Sequence, residues 1–520
     1  MRRRELLELL GSAALLAGCG EEDATPPRAP AVEEAAPPQV ERPSEPVPEA
    51  RPATDADWAR FAERLEGELV RPDAERYAVA RRLFDPRFDS LEPQGIAYCR
   101  TESDVQRSVA FARAHALPFA ARCGGHSYGG YSSGAGLVCD VGPMSAVALD
   151  GSGAMASIGA GAKLIDIYAQ LAARSLVIPG GTCPSVGISG LTLGGGQGVF
   201  GRKLGLTCDA VDAMRIVTAD GVIHACDAET DADLFWASRG GGGGNFGVVT
   251  QFRFRTHHVP QITRFALPWR WGAAADVVAG WQEWGPDAPR EIWSKCELGS
   301  RGADRSVAIH GVFLGEASSL APHLDALIAR VGSAPRRRRV ESAALLDTML
   351  VLGGCARRTY EECHMPPEGT LGRGMKRTRS HVVQTSLSPD GIETLLEGLD
   401  RSGLVEGSGR VGLDAVGGAI NAVDPDATAF VHRRARFIAQ YATYWPRRAN
   451  AAEASERWLD QLYVAMQPHA GGAYGNYIDP RLSDWERAYY GANLPRLRAI
   501  KRRHDPDDFF RFAQSIRGAA

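Results

Sequence analysis

Glycine marks where this sequence can do chemistry. Of its 59 glycines, 28 lie between Gly124 and Gly247. Glycine so concentrated brings backbone close to something that a side chain would exclude. The first run is Cys123-Gly124-Gly125-His126-Ser127-Tyr128-Gly129-Gly130-Tyr131-Ser132. A tight glycine turn after a strand exposes successive backbone N–H groups, and these can cradle a pyrophosphate. A second run covers 179–190 and continues as Leu193-Gly194-Gly195-Gly196-Gln197-Gly198, and a third is the five glycines before Asn245-Phe246-Gly247. Gly196-Gln197-Gly198-Val199-Phe200-Gly201 satisfies G-x-G-x-x-G. A dinucleotide fingerprint also needs a preceding strand, a following helix and an acidic residue about 20 positions on. Arg202-Lys203-Leu204-Gly205-Leu206 begins no convincing helix, so a Rossmann site is not expected.

Metal chemistry has no signature. The ten cysteines form no Cys-x-x-Cys and the histidines no His-x-x-x-His, the usual ligand spacings. Cys355, Cys363 and His364 cluster, and the expectation there is a disulfide or buried thiols rather than a ligand set.

Local pattern gives the strands and helices that hold the glycine runs. Residues 55–88 read as helix and loop. Residues 95–99 read as a short strand, 102–115 as a helix with Val105, Val109 and Ala112 on one face, and Phe119–Arg122 as the strand entering the first glycine turn. Strands are expected at 213–218 and 247–254. Past about Val259 the glycines thin and Trp269, Trp271, Trp281, Trp284 and Trp293 appear, read as ordinary core. Strand and helix then alternate, as at 306–313 and 320–331. Residues 411–418 read as a strand ending in a turn, and 437–441 as another.

The remainder of the chain bounds the problem. It has 520 residues, 44% hydrophobic and 23% charged, with a net charge of -3. No global basic field recruits nucleic acid. No apolar run approaches the ~18 residues of a spanning helix. Residues 1–19 read as an export signal: three arginines, a short apolar stretch, then Leu16-Ala17-Gly18-Cys19. The last four resemble a bacterial lipobox in which Cys19 takes the lipid. Arg3-Arg4-Glu5-Leu6-Leu7 resembles a twin-arginine signal, without the usual Ser or Thr before the pair and with Leu where Phe is usual. Residues 20–54, with nine prolines and no aromatic residue, read as a disordered tether. Together these predict a domain leashed to a membrane surface outside the cytoplasm.

Separated motifs, in order, carry a family likeness. Gly124-Gly125-His126-Ser127-Tyr128, the run from Gly181-Thr182-Cys183-Pro184-Ser185-Val186-Gly187 to Leu193-Gly194-Gly195-Gly196, and Tyr474-Gly475-Asn476-Tyr477-Ile478-Asp479 resemble the berberine-bridge-enzyme-like flavoprotein oxidases of the vanillyl-alcohol-oxidase superfamily. Tyr489 through Leu497, Asp505-Pro506 through Phe509 and Gln514-Ser515-Ile516 resemble that family's closing signature. The resemblance implies an α+β fold with a two-part PCMH-type FAD-binding domain over 55–260. A substrate domain over 261–470 would be an antiparallel sheet covered by helices, and 471–520 would return to the FAD domain.

By the same resemblance, FAD is the cofactor, bonded covalently through His126 and also through Cys183. Leu191 stands where many doubly linked relatives carry His, which leaves attachment through His126 alone open. Gly124, Gly125 and Ser127 would line the pyrophosphate, with Val186, Gly187, Gly195, Gly196 and Asn476 elsewhere around the flavin. Valine at 186 is the oxidase choice at a position thought to gate oxygen. Alcohol oxidation needs a base at the hydroxyl while hydride leaves. Free tyrosine, with a pKa near 10, is a poor one unless a cation or strong hydrogen bond lowers it. Tyr477 is the first candidate, Asp414 either the base itself or its orienting group, and Tyr128 a substrate-side hydroxyl. The expected partners are a small-molecule substrate and O2, with hydrogen peroxide as product. The alternatives are a dehydrogenase with another acceptor and a non-catalytic flavin-binding surface lipoprotein.

Overall fold

The computed structural model describes residues 51–402, 407–445 and 449–518. The export signal, Cys19 and the tether as far as residue 50 lie outside the described residues. The first helix, Asp55–Arg64, starts at Thr54, whose hydroxyl and backbone exchange hydrogen bonds with Asp57 in a capping box. Arg51 pairs with the same Asp57 at 2.6 Å.

Two sheets carry the glycine-rich half. Strands Gly95–Tyr98, Leu137–Asp140 and Phe119–Arg122 run parallel, and Glu68–Val70 adds an antiparallel edge. That three-residue edge strand lies in the stretch read as helix and loop; it is too short to show a period of its own. Helix Glu102–Ala114 buries Val105, Val109 and Ala112 in the core. The second sheet is antiparallel throughout, in the order Val147–Leu149, Met155–Gly159, Val248–Arg255, Val211–Val217, Ile223–Cys226. No Rossmann unit surrounds the G-x-G-x-x-G match; its last glycine opens only a single helical turn, Gly201–Leu204.

The other half is a seven-stranded antiparallel sheet. Its order is Arg339–Ala343, Ile262–Trp269, Asp304–Phe313, Ile292–Arg301, Ser408–Ala415, Phe437–Tyr444, Lys376–Val383. Side chains alternate across such a sheet. Cys296, Leu298, Val411, Leu413 and Tyr441 enter the apolar core on one face, where Trp281 Nε1 of helix Ala274–Trp284 donates to Ser294 Oγ at 3.0 Å. Helices Ala317–Val331, Pro389–Ser402 and Ala449–Met466 complete that layer. The intervening residues point the other way: Trp293, Lys295 and Glu297 on one strand, Arg410 and Asp414 on the next, Gln440 and Tyr444 on the third. This is the α+β architecture that the resemblance implied.

Helix Leu494–His504 carries the chain back to the glycine-rich half. Lys501, wholly buried, donates to the carbonyls of Asn245 and Phe510 and pairs with Asp505 at 2.6 Å. Cys355 and Cys363 form a disulfide. Among the described residues no helix is long and apolar enough to cross a membrane.

Candidate active site

Strand Phe119–Arg122 delivers the first glycine turn. Arg122 pairs with buried Asp140 at 2.5 Å, and Lys163 Nζ holds the exit by donating to Cys123 O and Gly161 O, both at 3.0 Å. The second turn lies against the first. Helix Leu164–Ala172 has no side-chain cap. Its leading N–H groups instead donate to carbonyls of the second turn, Leu164 to Val186 at 3.0 Å and Ile165 to Pro184 at 3.1 Å. The turns meet backbone to backbone: a Cβ on Gly124 would lie 2.4 Å from Gly187 N, and one on Gly187 would lie 2.0 Å from Cys123 Sγ. Among the described residues, the N–H groups of Gly124, Gly125, His126 and Ser127 donate to no protein acceptor. Four successive free donors form an anion-binding row.

This row opens on a cavity of about 870 Å³ between the glycine-rich half and the free face of the large sheet. Gly124, Gly125, His126, Ser127, Tyr128, Cys183, Val186, Gly187, Asp414, Asn476 and Tyr477 all line it. Gly195 and Gly196 do not, a correction to their expected place around the flavin. Both have positive φ, a Cβ at 195 would strike Phe430, and one at 196 would strike Thr207. They shape a turn behind the wall, fastened where Tyr474 Oη accepts from Gly196 N at 3.1 Å and Gln197 N at 3.0 Å. Asn476 lines the cavity but spends its amide on Leu191 O and Tyr474 Oη. Ser127 Oγ accepts from Tyr131 N within its own turn.

His126 stacks on Phe84 at 4.1 Å, and its Nε2 lies 2.9 Å from Ser185 Oγ. Burial, with Lys376 and Lys163 nearby, pushes its pKa down to about 3, so the imidazole is neutral at ordinary pH. Burial also pushes the Cys183 thiol up. Tyr477 sits in the turn Gly475–Tyr477, stacked on Tyr128 at 5.9 Å and edge-on to Tyr474 at 4.9 Å. Two residues on, Asp479 pairs with Arg379 at 2.6 Å and ties this turn to the sheet. Burial first, then Asp414 and the neighbouring tyrosines, raises the Tyr477 phenol well above its ordinary value. The lysines that could lower it are engaged elsewhere. Lys295 pairs with Asp414 at 3.1 Å, and Lys376 Nζ donates to Tyr128 Oη at 2.9 Å.

Lys295, Lys376, Glu297, Arg410, Gln440 and Tyr444 are site residues that sequence reasoning missed. The available signal was charge at every second position of an otherwise apolar strand, as in Lys295 and Glu297 flanking Cys296.

Residues 93–227 match the FAD binding domain family, and 473–517 match the berberine and berberine like family. An FAD-linked oxidoreductase of Bacillus subtilis (strain 168), YgaK, itself uncharacterized, is 32% identical over 458 residues, covering 87% of this chain and 97% of its own. The chain belongs to the berberine-bridge-enzyme-like FAD-linked oxidoreductases. The solved structure of Physcomitrella patens BBE-like 1 superposes with a TM-score of 0.80 at 29% identity, over 89% of this chain and 99% of that one. Xylooligosaccharide oxidase from Myceliophthora thermophila C1, solved with xylobiose, gives 0.79 at 25% identity, over 89% and 99%.

The cavity of this FAD-linked oxidoreductase fits its cofactor. Beyond the free N–H row, Gln197 Oε1 and Nε2, Ser132 Oγ and Ser133 Oγ are enclosed polar atoms on its wall without a hydrogen-bond partner among the described residues. Buried polar atoms left open in this way mark where a polar ligand completes the structure.

Proposed function

We propose that this enzyme is an exported oxidase that converts the alcohol of a small carbohydrate, phenolic or natural product to a carbonyl while O2 becomes hydrogen peroxide. One observation carries the reading: a single cavity gathers His126, Cys183, the free N–H row, Asp414, Tyr477 and Tyr128. Bound FAD supplies the acceptor that takes hydride from the substrate carbon and yields it to O2.

The chain's own groups do the rest. The N–H groups of 124–127 would hold the pyrophosphate. With Nε2 beside Ser185, His126 keeps Nδ1 for the flavin bond, and a neutral ring has the lone pair to make it. Cys183 Sγ would make the second bond. The hydroxyl proton goes to Asp414 rather than Tyr477. Asp414 is 7% exposed and pairs with Lys295 at 3.1 Å, whereas Tyr477 keeps its own proton and orients the alcohol.

The test is oxygen uptake and peroxide release by the purified yellow protein over a panel of alcohols, with Asp414→Asn beside the wild type. Peroxide equal to substrate oxidised supports the oxidase. Dye reduction without peroxide makes it a dehydrogenase, and flavin that no donor reduces makes it a binding protein. The lipobox supports anchoring at Cys19. Cys19→Ser should move the protein from the membrane to the soluble fraction; an unchanged distribution contradicts the anchor.

A further inference from the structure

Lys376 opens the last strand of the large sheet and lines the cavity. Its Nζ donates to Tyr128 Oη at 2.9 Å and lies 4.3 Å from the Tyr128 ring centroid and 5.7 Å from that of Phe84. An ammonium has three donors, and the phenol takes one. The other cations on this face are neutralised by neighbours: Lys295 by Asp414, and Arg410 by Glu297. Among the described residues Lys376 makes no ion pair. The imidazoles on the wall, His126 and His310, are both held toward the neutral form, chiefly by burial. Burial works against the Lys376 ammonium too, yet Tyr128 and Tyr444 hold its pKa above the ordinary lysine value, so the charge is kept. Among the described residues Lys376 is therefore a positive charge on this face that no carboxylate answers, and an enclosed unpaired ion is costly. The glycine N–H row already answers the cofactor's phosphates.

The geometry points to an anionic substrate: an alcohol that also carries a carboxylate, a hydroxy acid or sugar acid, with that carboxylate on Lys376 Nζ. This inference rests on the oxidase reading and narrows its substrate class.

The test uses the flavin-loaded full chain and reads perturbation of flavin absorption on titration with pairs alike in shape but not in charge: benzoate against benzamide, lactate against lactamide, glucuronate against glucose. A charge-assisted contact predicts about tenfold to hundredfold tighter binding of the carboxylate member. That preference should disappear in Lys376→Met and survive in Lys376→Arg. Equal binding within the pairs, no response to any carboxylate, or a preference that persists in Lys376→Met overturns the inference. The wild-type comparison stands alone should the methionine variant misfold. Flavin reduction separates the two layers. A neutral sugar that reduces the flavin while its acid does not leaves the oxidase and removes the anionic substrate. A chain that purifies without flavin removes both.

Discussion

On one wall of the cavity Gly124 lies so close to Gly187 that a Cβ would come within 2.4 Å of its nitrogen. On the opposite wall the contacts are between side chains, Lys295 with Asp414 and Arg410 with Glu297, and Lys376 reaches from it to Tyr128 on the first glycine turn. The first wall is made of backbone, whose N–H groups suit a ligand that never changes. The second is made of interchangeable side chains on a rigid sheet, which suits a ligand that differs from one relative to the next. Variation on the second wall can alter the substrate without disturbing the cofactor.

The sharpest way to break this contrast is a methyl group on the backbone wall. Gly187→Ala would set a Cβ 2.0 Å from Cys123 Sγ, beside Gly124 N. The expected outcome is loss of bound flavin and about 3 kcal/mol or more of stability, measured as the ratio of flavin to protein absorbance and by urea unfolding. A yellow, stable variant would mean that the turns do not need their close approach.

Asp414→Asn tests the other wall. Turnover should fall about 10²- to 10⁴-fold, the usual worth of a positioned base, with flavin content unchanged. Stopped-flow reduction of the flavin reads this directly. Loss of flavin instead would dissolve the division of labour. Lys501→Met reaches the backbone wall from behind. It strands Asp505 in the core and should cost about 3–5 kcal/mol by urea unfolding, with the remaining folded protein still active.

A further effect concerns pH. Burial lowers the pKa of His381 to about 3 and of His432 to about 4, against 6.5 for free histidine. The unfolded chain therefore binds protons first as pH falls. The stability is fully present above 6.5 and is lost toward the folded values at about 1.4 kcal/mol per histidine per pH unit. Urea midpoints at pH 7.0, 6.0 and 5.0 check this, and His381→Gln should flatten the slope.

The two walls were also unequally legible in the sequence. His126 and Cys183 stand in glycine runs that declare a close approach, and the cavity gathers both. Yet a glycine run does not say what is approached: Gly195 and Gly196 serve Phe430 and Thr207 rather than the cavity. On the sheet, Lys376, Arg410 and Glu297 went unread, because only the register shows that this face closes the cavity. Glu68–Val70 went unread because three residues have no period. The Cys355–Cys363 pairing depended on a fold that brings the Cα atoms to 5.9 Å.

The most direct measurement is the intact mass of the wild-type protein, His126→Ala and Cys183→Ala after acid denaturation. If the backbone wall carries FAD through both residues, the wild type keeps flavin mass and colour, and each single variant still holds flavin by its remaining bond. Loss only in His126→Ala would leave a single link. A wild-type chain of bare mass in a yellow supernatant would contradict covalent attachment at either residue.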